Sequence, residues 1–379
     1  MLALLCLVAI SYHNTFSPPD AAQTTLAMPI FYLTIVTFFV TLKTEIFKMR
    51  HFGTLAIFYA LVIVDAFLCN ALFGTNALFS EIKDLTIPLV ALCVGYNVNM
   101  SKKYMVWLLF AYGIIILFYA SASQIANNIG GFVITDDYKI PSKNAIGAML
   151  SSFIGALLPV VISKDIKQVY KAGSIILILA SAVVLVTIRA RASTMTFFFT
   201  VAIFVFALFR NSKYGYRKET RLVTVLIISS IILIPLLGVA IKPVGDYLYN
   251  SLFQNVEGDV TTGRMSRNFA AIDFFFQNPL SGTLGSKDTL LWVHNYLLRV
   301  LSSYGILFGL IFVIIYGFIL IKLINRFLNR DCLSLEYIGY WSMIPMILLS
   351  FVEPLFPYAP GTAVLLTYIL LGHSLKETI

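Results

Sequence analysis

The chain has 379 residues, of which 59% are hydrophobic and 12% charged, with a formal net charge of +9. Soluble globular chains carry about 25% charged residues, so this chain lacks the polar surface to cover two soluble domains and reads as an all-α, polytopic membrane protein. The positive charge then belongs to loops that hold orientation, not to a nucleic-acid footprint, and the lack of a GxxxxGK[ST] run excludes P-loop nucleotide use.

The first apolar run, MLALLCLVAISY, has no basic stretch before it and is followed by SPPD instead of a small-residue cleavage site. It reads as a short first membrane helix, not as a cleaved signal. Further runs fall near 26–42, 53–74, 85–100, 104–121, 145–163, 172–188, 192–209, 221–241, 296–321, 336–352 and 361–373. A span needs roughly 20 residues and several runs are shorter, so eleven or twelve transmembrane helices are expected.

Alternate loops are basic: Lys43, Lys48 and Arg50, then Lys102 and Lys103, then Lys164, Lys167 and Lys171, then the groups Arg210 to Arg221 and Lys322 to Arg330. The positive-inside rule assigns these loops and both termini to the cytoplasm. The outer face then holds SPPD, a loop at 74–84, a polar loop at 122–143, a tight turn at 188–192, a long segment at 242–295 and the loop at 351–360. Within the long segment, SRNFAAIDFFFQNP predicts an amphipathic helix, with Phe269, Ile272 and Phe276 set apart from Arg267 and Asp273 and with Pro279 as its stop. SGTLGSKD reads as loop. No repeat divides residues 1–379, so they form a single transmembrane domain with a cap at 242–295.

Cys6, Cys69, Cys93 and Cys332 are scattered, without CxxC or a His/Cys cluster, and indicate neither a disulfide framework nor a metal site. The chemistry-bearing residues gather on the outer face instead. His294, Asn295 and Arg299 open the tenth run. With Trp292 and Tyr296 they would also suit an interfacial belt, but histidine accepts a proton near neutral pH. Arg189 and Arg191, in TIRARAS, sit in a turn too short to leave the bilayer boundary. They need an anionic partner, either lipid head groups or a bound phosphate that matches the guanidinium fork. Arg264 and Arg267 are three apart, so they share a helix face, and Thr262 is a candidate cap for that helix. Asp65, inside the third run, reads as a hydrogen-bonded acid or part of a proton path, Glu353 as a loop acid or a substrate contact, and Lys143 and Asn144 as interface residues. One large lipid-linked phosphate would satisfy the outer arginines together.

The order ARAS (190–193), TGR (262–264), NPLSGTLG (278–285) and HNYLLRVLSSYGILFG (294–309) resembles the O-antigen ligase and polymerase superfamily, over roughly residues 140–365. The resemblance implies a GT-C-like glycosyltransferase of the bacterial inner membrane, with its active site facing the periplasm. Such an enzyme moves a glycan from undecaprenyl diphosphate without metal or other cofactor. On that resemblance Arg191 and Arg264 match diphosphate-binding arginines, assisted by Arg189 and Arg267. His294 matches a residue that deprotonates or orients the acceptor hydroxyl, with Asn295, Arg299, Tyr304 and Glu353 as candidate substrate contacts. The implied partners are an undecaprenyl-diphosphate-linked donor and acceptor, membrane lipids and a polysaccharide chain-length regulator. The compact outer loop resembles a polymerase more than a ligase that uses lipid A–core. A flippase or transporter, the non-enzyme alternative, would place charges at mid-span and show two similar halves, whereas only Asp65 is clearly mid-span here.

Overall fold

The computed structural model describes residues 36–37, 39–40, 49, 52–127, 143–188, 190–212, 216, 221, 264–285, 293–328, 331–354, 356–358 and 361–377. Among them the chain is all-helical, without strands. Ten helices follow in order: α1 (Phe52–Phe73), α2 (Ala77–Asn97), α3 (Lys102–Asn127), α4 (Lys143–Ile162), α5 (Gln168–Thr187), α6 (Arg191–Asn211), α7 (Arg264–Gln277), α8 (Tyr296–Phe327), α9 (Ile338–Ser350) and α10 (Gly361–Glu377). A backbone in hydrocarbon has no water to bond to, so long apolar runs close their amides and carbonyls internally as helices. Five helices among the described residues, within α1, α4, α5, α6 and α8, are long and apolar enough to cross a membrane. The run expected at 1–12, all but Arg221 of that at 221–241, and most of that at 26–42 lie outside the described residues.

Helix α4 is the axis of the fold. Its 18-residue apolar window is 94% buried, against 17% for that of α1, so α4 packs against protein on all sides while α1 presents most of its surface outward. Glycines set the closest approaches. A Cβ on Gly95 of α2 would lie 1.9 Å from the Ile369 carbonyl oxygen of α10, and one on Gly372 would lie 2.0 Å from the Leu92 oxygen. Small residues of this kind let helices meet backbone to backbone where no hydrophobic effect drives them together. Gly155 of α4 meets the Trp341 backbone of α9 in the same way, 2.4 Å from Cβ to oxygen.

Three expectations are corrected. The loop expected at 74–84 shrinks to Gly74–Asn76, because α2 begins at Ala77 and its polar first turns carry Glu81 into the protein, where it is 6% exposed. SGTLG is not open loop: Gly282–Gly285 is a 3-10 turn. Tyr296 is not an interfacial anchor, being 1% exposed and stacked on Tyr316 with ring centres 5.9 Å apart. The amphipathic helix near 264–277 is present as α7, yet Phe269 and Phe276 are 58% and 74% exposed and only Ala271 is buried.

The tenth run is two helical segments that meet at a sharp bend, so that a Cβ on Gly309 would lie 3.1 Å from the Val300 oxygen and the rings of Tyr296 and Tyr316 stack. Gly305 has φ 63°, ψ −166° and breaks α8 into a short mouth segment and a long span. The break orphans the next amides, and the NPLSGTLG segment supplies their acceptors. Ile306 N–H donates to the Pro279 oxygen at 2.9 Å, and Leu307 N–H to the Leu280 oxygen at 3.0 Å. Thr283 Oγ1 donates back to the Ser303 oxygen at 3.2 Å. A Cβ at Gly305 would lie 2.2 Å from the Leu280 oxygen, and one at Gly282 (φ 56°) 2.5 Å from the Ser302 oxygen. Only glycine meets both demands, left-handed backbone and contact with another chain segment.

Candidate functional site

One end of the bundle collects the starts of α2, α4, α6 and α8, the end of α9 and the whole of α7. The opposite end carries Lys102 paired with Asp165, Lys376 bonded to Asn99, and Arg210 bonded to the Phe327 carbonyl. The first of these ends holds almost every candidate site residue.

Glu353 is the hub. It follows α9, is 5% exposed, and its Oε1 lies 3.2 Å from Arg264 Nη2 of α7. Its Oε2 accepts from Asn144 Nδ2 of α4 at 3.3 Å. Arg264 Nη1 also donates to the Val352 carbonyl at 2.8 Å. The expectation of Asn144 as an interface residue is thereby refined, since its amide faces a buried carboxylate. The α4 start also meets the short turn at 188–192. A Cβ on Gly147 would lie 2.5 Å from Ser193 Oγ and 2.9 Å from the Ala190 Cβ, and Ser151 Oγ donates to the Ser193 carbonyl at 3.1 Å. Arg191, the first residue of α6, therefore starts beside the helix that bonds Glu353. Arg189 and Thr262 lie outside the described residues, as do Trp292 and residues 128–142 of the polar loop expected at 122–143.

His294 stands just before α8, partly buried. Its backbone N–H donates to Asn268 Oδ1 of α7 at 3.2 Å, and its Nε2 lies 3.4 Å from Arg267 Nη1. A guanidinium has no acceptor, so the contact requires a lone pair on Nε2 and the proton on Nδ1. Nδ1 is buried and makes no hydrogen bond among the described residues. Burial, then the charges of Arg264 and Arg267, push the imidazole below its ordinary range. It is neutral at pH 7 and available to accept a proton at Nε2.

The other candidates have partners inside the protein. Asn295 caps α8, its Oδ1 accepting from Leu298 N–H at 3.0 Å while its Nδ2 donates to the Phe351 carbonyl at 3.3 Å. Arg299 Nη2 lies 2.7 Å from Glu81 Oε1, and the Tyr304 hydroxyl donates to the same oxygen at 2.8 Å. Arg299 and Tyr304, expected as substrate contacts, thus share a buried carboxylate of α2. Glu81 was absent from the sequence expectations. The signal for it was indirect: an arginine one turn inside an apolar helix requires a carboxylate from elsewhere in the chain. Asn268 carried no signal of its own. Asp65 is half-buried in α1. Among the described residues, no group of three His, Cys, Asp or Glu side chains is placed to hold a metal ion.

At this end one guanidinium, that of Arg267, contacts a neutral imidazole, and the charge of a second, Arg264, held by a carboxylate, acts on the same ring. Such a cluster can bind an anion and take a proton from a neighbouring hydroxyl. No family model matches the chain, and no curated protein matches it either.

Proposed function

We propose that the chain is a membrane glycosyltransferase that uses a lipid-diphosphate-linked glycan. In the finer form of this proposal it is an O-antigen polymerase with eleven or twelve spans and a GT-C-like fold. It would lie in the bacterial inner membrane with both termini cytoplasmic and the site facing the periplasm. The observation that carries the reading is that a neutral His294 lies 3.4 Å from Arg267 and feels the charge of Arg264, which is itself held by Glu353, at one end of the bundle. The motif order in the sequence adds the direction of chemistry.

In this reading the donor diphosphate replaces the Glu353 carboxylate on Arg264, and Arg191 approaches from the neighbouring helix start. The acceptor hydroxyl takes the position at His294 Nε2 that Arg267 holds in the structure. Its oxygen attacks the anomeric carbon, the carbon–oxygen bond to the diphosphate breaks, and the hydroxyl proton passes to Nε2. The undecaprenyl diphosphate leaves with the bonding electrons, its added charge offset by the arginines. Attack from the face opposite the leaving group inverts the anomeric centre. A positioned base contributes about 10²–10⁴-fold, and a preorganised oxyanion donor about 10²–10³-fold.

The test is complementation of a deletion strain with wild-type and His294→Ala protein at matched membrane levels, with lipopolysaccharide resolved on a gel. The polymerase reading expects a ladder from wild type and core plus a single repeat unit from the variant. Bare core with accumulating lipid-linked polymer in the deletion strain would make the protein a ligase instead. An unchanged lipopolysaccharide profile on deletion would remove the reading and leave a flippase or transporter of lipid-linked oligosaccharide as the alternative.

A further inference from the structure

Helix α7 has three sides, and only one of them faces the protein. Arg264, Asn268 and Ala271, at i, i+4 and i+7, turn inward: Arg264 donates to the Val352 carbonyl, Asn268 accepts from the His294 amide, and Ala271 is buried. Ser266, Asp273 and Gln277 form a second side, exposed and polar. Met265, Phe269 and Phe276 form a third, exposed and apolar. A helix packed on the bundle and otherwise in water needs two kinds of side, whereas one lying between protein, water and hydrocarbon needs three.

The depth of α7 follows from what holds its ends. At its start, Arg264 bonds the segment after α9, where Glu353 Oε2 accepts from Asn144 in the first turn of α4. At its end, the carbonyls of Pro279 and Leu280 accept from Ile306 and Leu307, which open the long segment of α8. Helix α4 rises about 30 Å over its 20 residues, and α8 about 33 Å from Ile306 to Phe327. Each length matches a hydrocarbon core of about 30 Å, so the first turn of either marks the edge of that core at the candidate-site end. Both ends of α7 are held at that edge, and the helix therefore runs along it. The apolar side also continues a surface that faces outward from the bundle. Leu280 is exposed and bonded through its backbone to the exposed Leu307, from which Leu310 and Ile314 carry the exposed face of α8 towards the bilayer middle.

We propose that α7 is an interfacial membrane helix, whose Met265, Phe269 and Phe276, with Leu280 after it, insert into the phospholipid leaflet at the candidate-site end. Helices of this kind bury their apolar side about 5–10 Å into the boundary of headgroups and acyl chains. Continuity with the outward face of α8 selects lipid as the occupant over a second copy of the chain, and the insertion needs no particular headgroup. Arg264 and Arg267 share this helix, so its anchoring keeps both guanidinium groups at headgroup depth. The proposal requires only that α4 and α8 span a bilayer and is independent of the glycosyltransferase reading.

The full chain is reconstituted into phosphatidylcholine vesicles as wild type, Phe269→Trp, Phe276→Trp and Asp273→Trp, and the wild-type emission of the native tryptophans is subtracted. Quenching is read with phosphatidylcholine brominated near the headgroup end or near the methyl end of its acyl chains, and with iodide on both sides of the membrane. All three positions are exposed, so the added rings displace no core, and equal helicity of the four proteins verifies this. Phe269→Trp and Phe276→Trp are expected to lose most of their added emission to brominated lipid, more to the shallow bromines than to the deep ones, and little to iodide. Asp273→Trp, on the polar side, is expected to show the reverse. Quenching of Phe276→Trp by iodide but not by brominated lipid would overturn the proposal, because the stripe would then lie in water. Shielding from both quenchers would overturn it too, because a second copy or another segment of the chain would then cover the stripe. Stronger quenching by the deep bromines would replace the interfacial helix with one that enters the bilayer core.

Discussion

Glu81 offers the sharpest test of the arrangement at the mouth of α8. Its carboxylate is the acceptor for both Arg299 and Tyr304, and the side chains of the ion pair are 8% and 20% exposed. Both values are well below a third, so solvent screening does not erase the interaction. Removing one partner of a buried pair leaves the other charge uncompensated, at about 3–5 kcal/mol. Loss of the Tyr304 hydrogen bond alone is a smaller matter, about 0.6 kcal/mol on average for such bonds within membranes. Glu81→Ala is therefore expected to destabilise the protein by about 3–5 kcal/mol and Tyr304→Phe by about 1 kcal/mol or less. Glu81→Leu combined with Arg299→Met and Tyr304→Phe removes every charge and hydroxyl of the triad. It should recover most of the loss, because apolar replacements of a buried pair are often neutral. Unfolding in mixed micelles of mild detergent and dodecyl sulfate, followed by far-ultraviolet circular dichroism, measures all three. A Glu81→Ala protein within about 1 kcal/mol of wild type, or a triple variant no more stable than the single one, would refute the buried pair.

Gly305→Ala introduces a Cβ 2.2 Å from the Leu280 oxygen at a φ of 63°, and should cost more than the about 1–2 kcal/mol of left-handed backbone alone, in the same unfolding assay. Gly372→Leu, at the backbone contact of α10 with α2, should lower stability by at least about 1–3 kcal/mol, as overpacking does. Because His294 is depressed below its ordinary value of about 6.5, its neutral form persists to lower pH, and the acid limb of the pH–rate profile of transfer should lie below 6.5. Arg267→Gln removes one of the charges responsible and should move that limb upward; a limb that stays in place would detach His294 from the titration. The folded protein also binds fewer protons at His294 than the unfolded chain, so stability should fall as pH drops through 6.5, and His294→Gln should abolish this part of the pH dependence. Arg264→Ala should reduce transfer about 10²–10³-fold at matched membrane levels.

The spans containing α4, α5, α6 and α8 were legible because apolar runs bounded by basic loops have few alternatives to a helix. The short arginine turn between α5 and α6 was legible for the same reason, from the length between two runs. The start of α2 was not, because Glu81, Lys83 and Asp84 look like loop when hydropathy is the only criterion. The partner that buries Glu81 lies more than 200 residues away, at |i−j| = 218. The roles of Arg299 and Tyr304 were illegible on the same ground: each side chain answers to Glu81 on another helix, and spacing along one segment carries no record of it. The role of NPLSGTLG was half legible. It was read as loop next to the end of a helix, but its ordered turn, and the turn's purpose as acceptor for a broken helix, follow only from the φ of Gly305.

That break changes what holds His294 in place. A continuous α8 would position its first turn through its own backbone ladder, and the histidine would inherit the rigidity of the span. With the ladder interrupted at Gly305, the mouth segment depends on contacts from four directions: Glu81 of α2, the Phe351 carbonyl after α9, Asn268 of α7 and the Thr283 hydroxyl on the Ser303 carbonyl. Arg264 reaches the same end of α9 through Val352 and Glu353, so α7 contributes both a guanidinium and the support of the imidazole. A substitution in α7 that leaves Arg264, Arg267 and His294 intact, such as Asn268→Ala, should then weaken the site without touching its charged groups. Its effect should appear as a lower kcat with little change in the pH limb, because it loosens the imidazole without altering the charges around it.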